Sequence, residues 1–197
     1  MRMSFAASPR DFASISRRAA RGQVAGFTLI ELMIVVAIVG ILATIAVVGY
    51  RKLVLNGKIT EAKNVIAGIR IAQEEYKSEK GVYLDLGGAL CPLAASGTTQ
   101  SKVGWDPSCG VAPTWAALPL HIDSPVQFGY TTRAGSGVAP PAAVGQPITF
   151  VTIPAAVGTN PWYYVTASAD LDGNAGAFTE LVGTSWQNTI FTFQEGE

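Results

Sequence analysis

The stretch Gly26-Phe27-Thr28-Leu29-Ile30-Glu31-Leu32 opens the run GFTLIELMIVVAIVGILATIAVVGY over residues 26–50, and this run decides how the chain is read. From 32 to 50 there are 19 consecutive residues without a charge. At about 1.5 Å rise per residue that is the length of a helix crossing roughly 30 Å of hydrocarbon. A lone carboxylate, Glu31, sits near its start. A charge in hydrocarbon costs about 2.5 kcal/mol or more, so such a residue reads as a functional group with a partner still to be named.

The sequence before this run is basic. Arg2, Arg10, Arg17, Arg18 and Arg21 stand against Asp11, whereas residues 27–197 hold 9 basic and 13 acidic side chains, so the formal net charge of zero hides two opposed halves. An arginine-rich front ahead of a long apolar segment reads as an insertion signal with its charges held on the cytoplasmic side and the bulk of the chain beyond the membrane. That bulk has no basic excess to attract nucleic acid. Thr44-Ile45-Ala46 imitates a secretory cleavage site, but the apolar run is longer than a secretory signal requires. Neither that reading nor a plain single-span anchor explains Glu31.

The residues from Gly26 to Leu32, followed by an apolar helix, resemble the N-terminal signature of type IV pilins and their relatives, the type II secretion pseudopilins. The resemblance implies that a prepilin peptidase cuts after Gly26 and that Phe27 becomes the N-methylated first residue. It makes Glu31, with Thr28 beside it, the filament-assembly group. Cleavage at Gly26 removes the front arginines and creates an amine one helical turn from Glu31, so that in a stack of subunits the carboxylate of one copy meets the amine of another. A costly isolated charge becomes a pair that fixes register rather than supplying bulk stability. The sequence departs from the commonest pattern at Ala25 and Val48, where many members carry Lys and Pro. Gly40 and Gly49 remain as weak points of the helix.

Beyond Arg51 and Lys52, which reach toward the outer membrane interface, the pattern becomes amphipathic. Ile59, Ala62, Val65, Ile66, Ile69, Ala72 and Tyr76 recur at spacings of three and four, with Glu61, Lys63, Arg70, Glu74, Lys77 and Lys80 mostly elsewhere. No proline interrupts residues 27–80, so span and amphipathic segment read as one helix of about 80 Å, stopped at Gly81.

Residues 82–125 are rich in Gly, Pro, Ala and Ser and read as a long surface loop or irregular subdomain. They hold both cysteines, Cys91 and Cys109, and an even pair in an exported chain favours a disulfide. Strand-like stretches follow at 126–132, 147–153, 162–169, 177–182 and 189–193, separated by breaks such as AGSGVAPPAAVGQ, as an antiparallel meander requires. The expected fold is α+β, a long N-terminal helix, half transmembrane and half amphipathic, packed on a C-terminal antiparallel sheet. The expected divisions are a cleaved basic leader at 1–26, a filament-core helix at 27–50, the helix of the head at 51–80, the disulfide-bearing loop at 81–125 and the sheet at 126–197.

In the head, Asp170, Asp172 and Asn174 with the intervening Gly173 present alternating oxygens suited to calcium. The tract lacks the EF-hand arrangement, since Leu181 stands at its twelfth position. Asp-Gly and Gly-Asn are also hairpin dipeptides, and a solvated turn is the plainer of the two readings. No other cofactor is expected. His121 lies alone between Leu120 and Ile122, and no nucleophile elbow, phosphate loop or zinc-helix motif is present, so the chain does not read as an enzyme.

The expected function is that of a structural subunit of a type IV pilus-like filament. The subunit is held in the inner membrane with its head in the periplasm and then assembled into an extracellular fimbrium. The partners implied by the resemblance are identical or related subunits, the prepilin peptidase, an assembly ATPase and platform proteins. A type II secretion pseudopilin is the alternative within the family, and a membrane-anchored monomeric binding module the alternative outside it.

Overall fold

The computed structural model describes residues 26–92, 101–110, 113–137, 160–171, 173 and 178–194. Helix α1 runs Leu29–Lys80 and contains one segment long and apolar enough to cross a membrane. It ends where Gly81 adopts a φ of 78° and donates its N–H to the Lys77 carbonyl at 2.8 Å, the left-handed cap that glycine makes without steric cost. Lys77 and Lys80 in the last turn complement the negative end of the helix dipole.

The chain divides into two compact units, residues 1–45 and 46–197. In the first, every described residue is exposed. The second is the α+β head expected from the sequence. Its sheet has the order β1-β2-β3-β4, with β1 Gly129–Gly135, β2 Trp162–Ala169, β3 Thr179–Thr184 and β4 Phe191–Phe193, every neighbour antiparallel. Alternation sends Tyr163, Val165, Ala167 and Ala169 of β2 into the main core with Ile59, Ala62, Ile66, Ile69 and Ala72 of α1. Trp162 and Tyr164 stack on the opposite face, their rings 6.1 Å apart, beside Val182.

Helix and sheet approach closely at Gly183, where an added Cβ would lie 2.7 Å from Ile66 Cγ2. Gln73, fully buried at the rim of the apolar face, joins three segments. Its Nε2 donates to the Leu84 carbonyl at 2.8 Å and to Thr132 Oγ1 at 3.0 Å, and its Oε1 accepts from the Leu84 N–H at 2.9 Å.

Four expectations need correction. β3 ends at Thr184, past the expected end at 182. Strand β1 begins at Gly129 rather than 126, because Val126 pairs with Val103 and the Gln127 N–H donates to Glu61 Oε1 at 3.1 Å, diverting those residues from β2. The strand continues to Gly135, covered by the indole of its partner Trp162. β4 is shorter than the expected stretch and starts at Phe191. Of the two readings of the segment after the helix, irregular subdomain fits its described residues and surface loop does not, since Leu84, Leu86, Cys91, Trp115 and Leu118 are core residues. Its residues 86–91 run along the outer edge of β1, where the Leu86 N–H meets the Thr132 carbonyl and Cys91 exchanges both backbone bonds with Tyr130. The stretch expected at 147–153 lies outside the described residues.

Candidate functional site

The N-terminus of α1 is closed by its own side chains. Thr28 stands at the N-cap and Glu31 three residues on. The Glu31 N–H donates to Thr28 Oγ1 at 3.3 Å, the Thr28 N–H donates to Glu31 Oε2 at 2.9 Å, and the Thr28 hydroxyl donates to the same oxygen at 2.8 Å. This is a capping box, which satisfies donors the first turn of a helix leaves unpaired and places a carboxylate at the positive end of the helix dipole. The Thr-x-x-Glu spacing that announces it is visible in the sequence, and reading Glu31 only as a membrane charge passes over it. Oε1 takes part in none of these three bonds.

From Glu31 onward the first unit presents only apolar and small side chains apart from Thr44, whose hydroxyl donates back to the Ile41 carbonyl at 2.7 Å. Phe27 is 84% exposed, and none of the most apolar window of α1 is buried. A face of this extent does not stay in water, and either lipid or other helices must cover it.

In the head, Cys91 and Cys109 form the expected disulfide, with Cα atoms 5.8 Å apart. It ties residues 101–110 to the strand edge and seats Trp105 against Trp115 and Tyr130 at ring separations of 5.1 and 6.0 Å. Burial, and then the nearby Glu61 carboxylate, push the Tyr130 phenol well up. Glu61 also pairs with Lys102, so one carboxylate joins the helix, the disulfide segment and the approach to β1.

Of the proposed calcium ligands only Asp170 is described; it is buried at the end of β2, and its Oδ1 accepts the Gly173 N–H at 2.6 Å in a turn closed by its own side chain. Asp172 and Asn174 lie outside the described residues. His121 is exposed, with Nε2 2.8 Å from Asp123 Oδ1. An open cleft of about 500 Å³ is bordered by Arg70, Ile71, Glu74, Tyr163 and Asn188. The Arg70 guanidinium there is spent on the Gln187 and Asn188 carbonyls and Asn188 Oδ1, at 2.9 to 3.2 Å, which makes it an anchor for the β3–β4 connection.

Residues 21–47 match the family model described as the prokaryotic N-terminal methylation motif. Fimbrial protein EcpC of Eikenella corrodens is 53% identical over 58 residues, 29% of this chain and 38% of that protein. The type IV major pilin protein PilA of Myxococcus xanthus (strain DK1622) is 52% identical over 60 residues, 30% of this chain and 27% of that protein. Both likenesses span well under half the length of those relatives. A fimbrial protein of Pseudomonas aeruginosa is 33% identical over 122 residues, and the likeness takes in 60% of this chain and 75% of that protein. The chain belongs to the type IV pilin family. In this pilin the likeness to EcpC and PilA spans little more than a quarter of the chain, while that to the Pseudomonas protein extends over more than half of it. No solved structure matches.

Proposed function

We propose that the chain is a filament subunit, made as an inner-membrane precursor, cut after Gly26 by a prepilin peptidase, N-methylated at Phe27 and polymerised through its N-terminal helix into a surface fimbrium. The observation that carries this reading is the first unit itself, an apolar helix with no buried residue in its most apolar stretch and a single carboxylate fixed at its capped end. Lipid covers such a face before assembly, and copies of the same helix cover it afterwards.

Cleavage places an ammonium group on Phe27, next to the Thr28–Glu31 box. A carboxylate already oriented by two bonds from Thr28 meets that group at little further entropic cost, and the pairing of opposite charges sets the axial position of one subunit on another. The ATPase, platform and peptidase are other chains. Glu31→Ala should leave insertion intact and reduce polymerisation sharply, and normal filament yield from that variant would refute the pairing role. A bulky residue at position 26 should leave the precursor uncut, seen as unchanged electrophoretic mobility.

The deciding experiment is N-terminal mass spectrometry of the protein in sheared cell-surface material and in the membrane fraction. N-methylated Phe27 in the sheared material supports both processing and the filament. A chain beginning near Val47, or one retaining Met1 and confined to the membrane, overturns the reading in favour of a secreted or anchored binding module.

A further inference from the structure

Where the uncharged run ends, α1 carries Arg51, Lys52 and Lys58, and no acidic residue occurs from 32 to 60. Arg51 and Lys52 are exposed and Lys58 is half-buried. None of the three side chains makes an ion pair or a hydrogen bond among the described residues. Further into the head the basic groups are engaged, Arg70 with Gln187 and Asn188, Lys77 with Tyr83, Lys102 with Glu61 and Arg133 with Asp85. Glu61, the nearest carboxylate in sequence, is taken by Lys102 and the Gln127 N–H. The chain supplies no counter-ion for this group of three. Arg51 and Lys58 are seven residues apart, nearly two turns and about 10 Å of rise, so both project from one side of the helix. Side chains on a helix lean toward its N-terminus, here toward the apolar run, which brings the reach of Lys58 back toward Arg51. Tyr50, 69% exposed, stands just before them and is a residue type that settles at the headgroup level of a bilayer.

We propose that Arg51, Lys52 and Lys58 form a collar that binds the phosphate groups of anionic phospholipid on the periplasmic leaflet. The inference rests on the membrane-held subunit proposed above. Charge complementarity and continuity with the apolar run select this occupant, because the face that needs lipid stops where the unpaired cations begin, and lipid phosphates stand at that level. A basic residue at an anionic surface gains about fivefold in association, and salt screens the effect. Processing changes what the collar does. In the precursor the leader arginines hold the opposite interface, and outward movement would draw them through hydrocarbon. Residues 27–50 contain no basic side chain, so after a cut at Gly26 the collar is the set of basic side chains that remains at a membrane surface, and it leaves toward water rather than through lipid. The subunit then waits at a fixed depth on contacts that an outward pull breaks one at a time.

The test uses the full chain carrying Tyr50→Trp, which sets an indole beside the collar without touching the core. It is reconstituted in phosphatidylcholine vesicles holding equal fractions of either brominated phosphatidylglycerol or brominated phosphatidylcholine. Bromine quenches an indole on contact, and the chain without the substitution measures the background from Trp105, Trp115, Trp162 and Trp186. Brominated phosphatidylglycerol should quench the new indole as though about fivefold enriched over brominated phosphatidylcholine, and salt at about 1 M should remove the excess. Arg51→Gln, Lys52→Gln and Lys58→Gln together should bring the ratio to one, while continued quenching by brominated phosphatidylcholine reports that the chain is still inserted. Equal quenching by the two lipids in the chain that keeps its basic residues overturns the collar, as does an excess that survives the triple substitution. Quenching by neither lipid puts position 50 outside the bilayer and counts against the membrane-held subunit itself, so the two failures are told apart.

Discussion

Ile41 and Ile66 are the same amino acid on one helix, the first 63% exposed and the second fully buried. Around Ile66 the burial is supplied within the chain by β2, β3 and the segment that follows the helix. Around Ile41 it is supplied by nothing, and the helix there is held by its backbone ladder and by the Thr28–Glu31 box at its end. Hydrophobic side chains therefore do two different jobs here. In the head they have already found their partners, and the stability they confer belongs to the single molecule. In the first unit the same residue types hold that free energy in reserve for lipid or for other copies.

The contrast is sharpest in paired truncations. Ile66→Ala should destabilise the head by about 2–5 kcal/mol, the usual loss for a buried large-to-small change, lowering its melting temperature by roughly 5–15 °C. Ile41→Ala should leave that melting temperature unmoved and act only on assembly. An equal effect of both on head melting would erase the distinction. Next in size is the disulfide. Cys91→Ser or reduction opens a link between residues 18 apart and should cost about 3 kcal/mol, read as a lower melting point together with red-shifted fluorescence from Trp105 and Trp115.

A pH-dependent effect is expected in the head. Glu180 is buried on β3, and burial raises its carboxyl from 4.5 to about 7. A carboxyl raised on folding costs nothing while it is protonated in both states, below pH 4.5. The penalty grows as pH rises from 4.5 to about 7 and is complete above that, so head stability should fall across this window. Glu180→Gln should flatten the profile, and an unchanged slope in melting temperature against pH would assign the dependence to another group. The smallest effect is expected at the capped end. Thr28→Ala should cost about 1 kcal/mol of local helix stability, seen as roughly fivefold faster hydrogen exchange at the amides of the first turn, with the head unaffected.

Several of these features are legible in the sequence because a repeat or a special residue announces them. The uncharged run, the three-and-four spacing from Ile59 to Ala72, the Gly81 stop, the cysteine pair and the bounds of β2 are all of this kind. The placement of β1 depends on Val103 and Glu61, which lie far away in sequence and capture Val126 and Gln127, and no local pattern reports that. Leu84, Leu86, Trp115 and Leu118 enter the core without any period, because irregular chain has none, and composition alone marks their segment as loop. Gln73 reads as a polar interruption, and only the assembled head shows that its amide substitutes for a missing strand partner at Leu84. At the helix end the Thr28-x-x-Glu31 spacing of the capping box is equally local, but a lone carboxylate ahead of a long uncharged run also has the membrane reading.

A subunit that collects in large numbers on one surface has to join in one way and refuse the others. An open strand edge is a general adhesive, able to pair with any exposed backbone it meets. Here the outer edge of β1 is occupied by residues 86–91 of the same chain, pinned through Cys91 to Cys109. Sheet-on-sheet accretion of crowded heads is therefore blocked along the Tyr130–Thr132 part of that edge. On the filament reading proposed above, growth then runs through the helices, whose geometry has a direction and a pitch, and yields an ordered fibre rather than a precipitate.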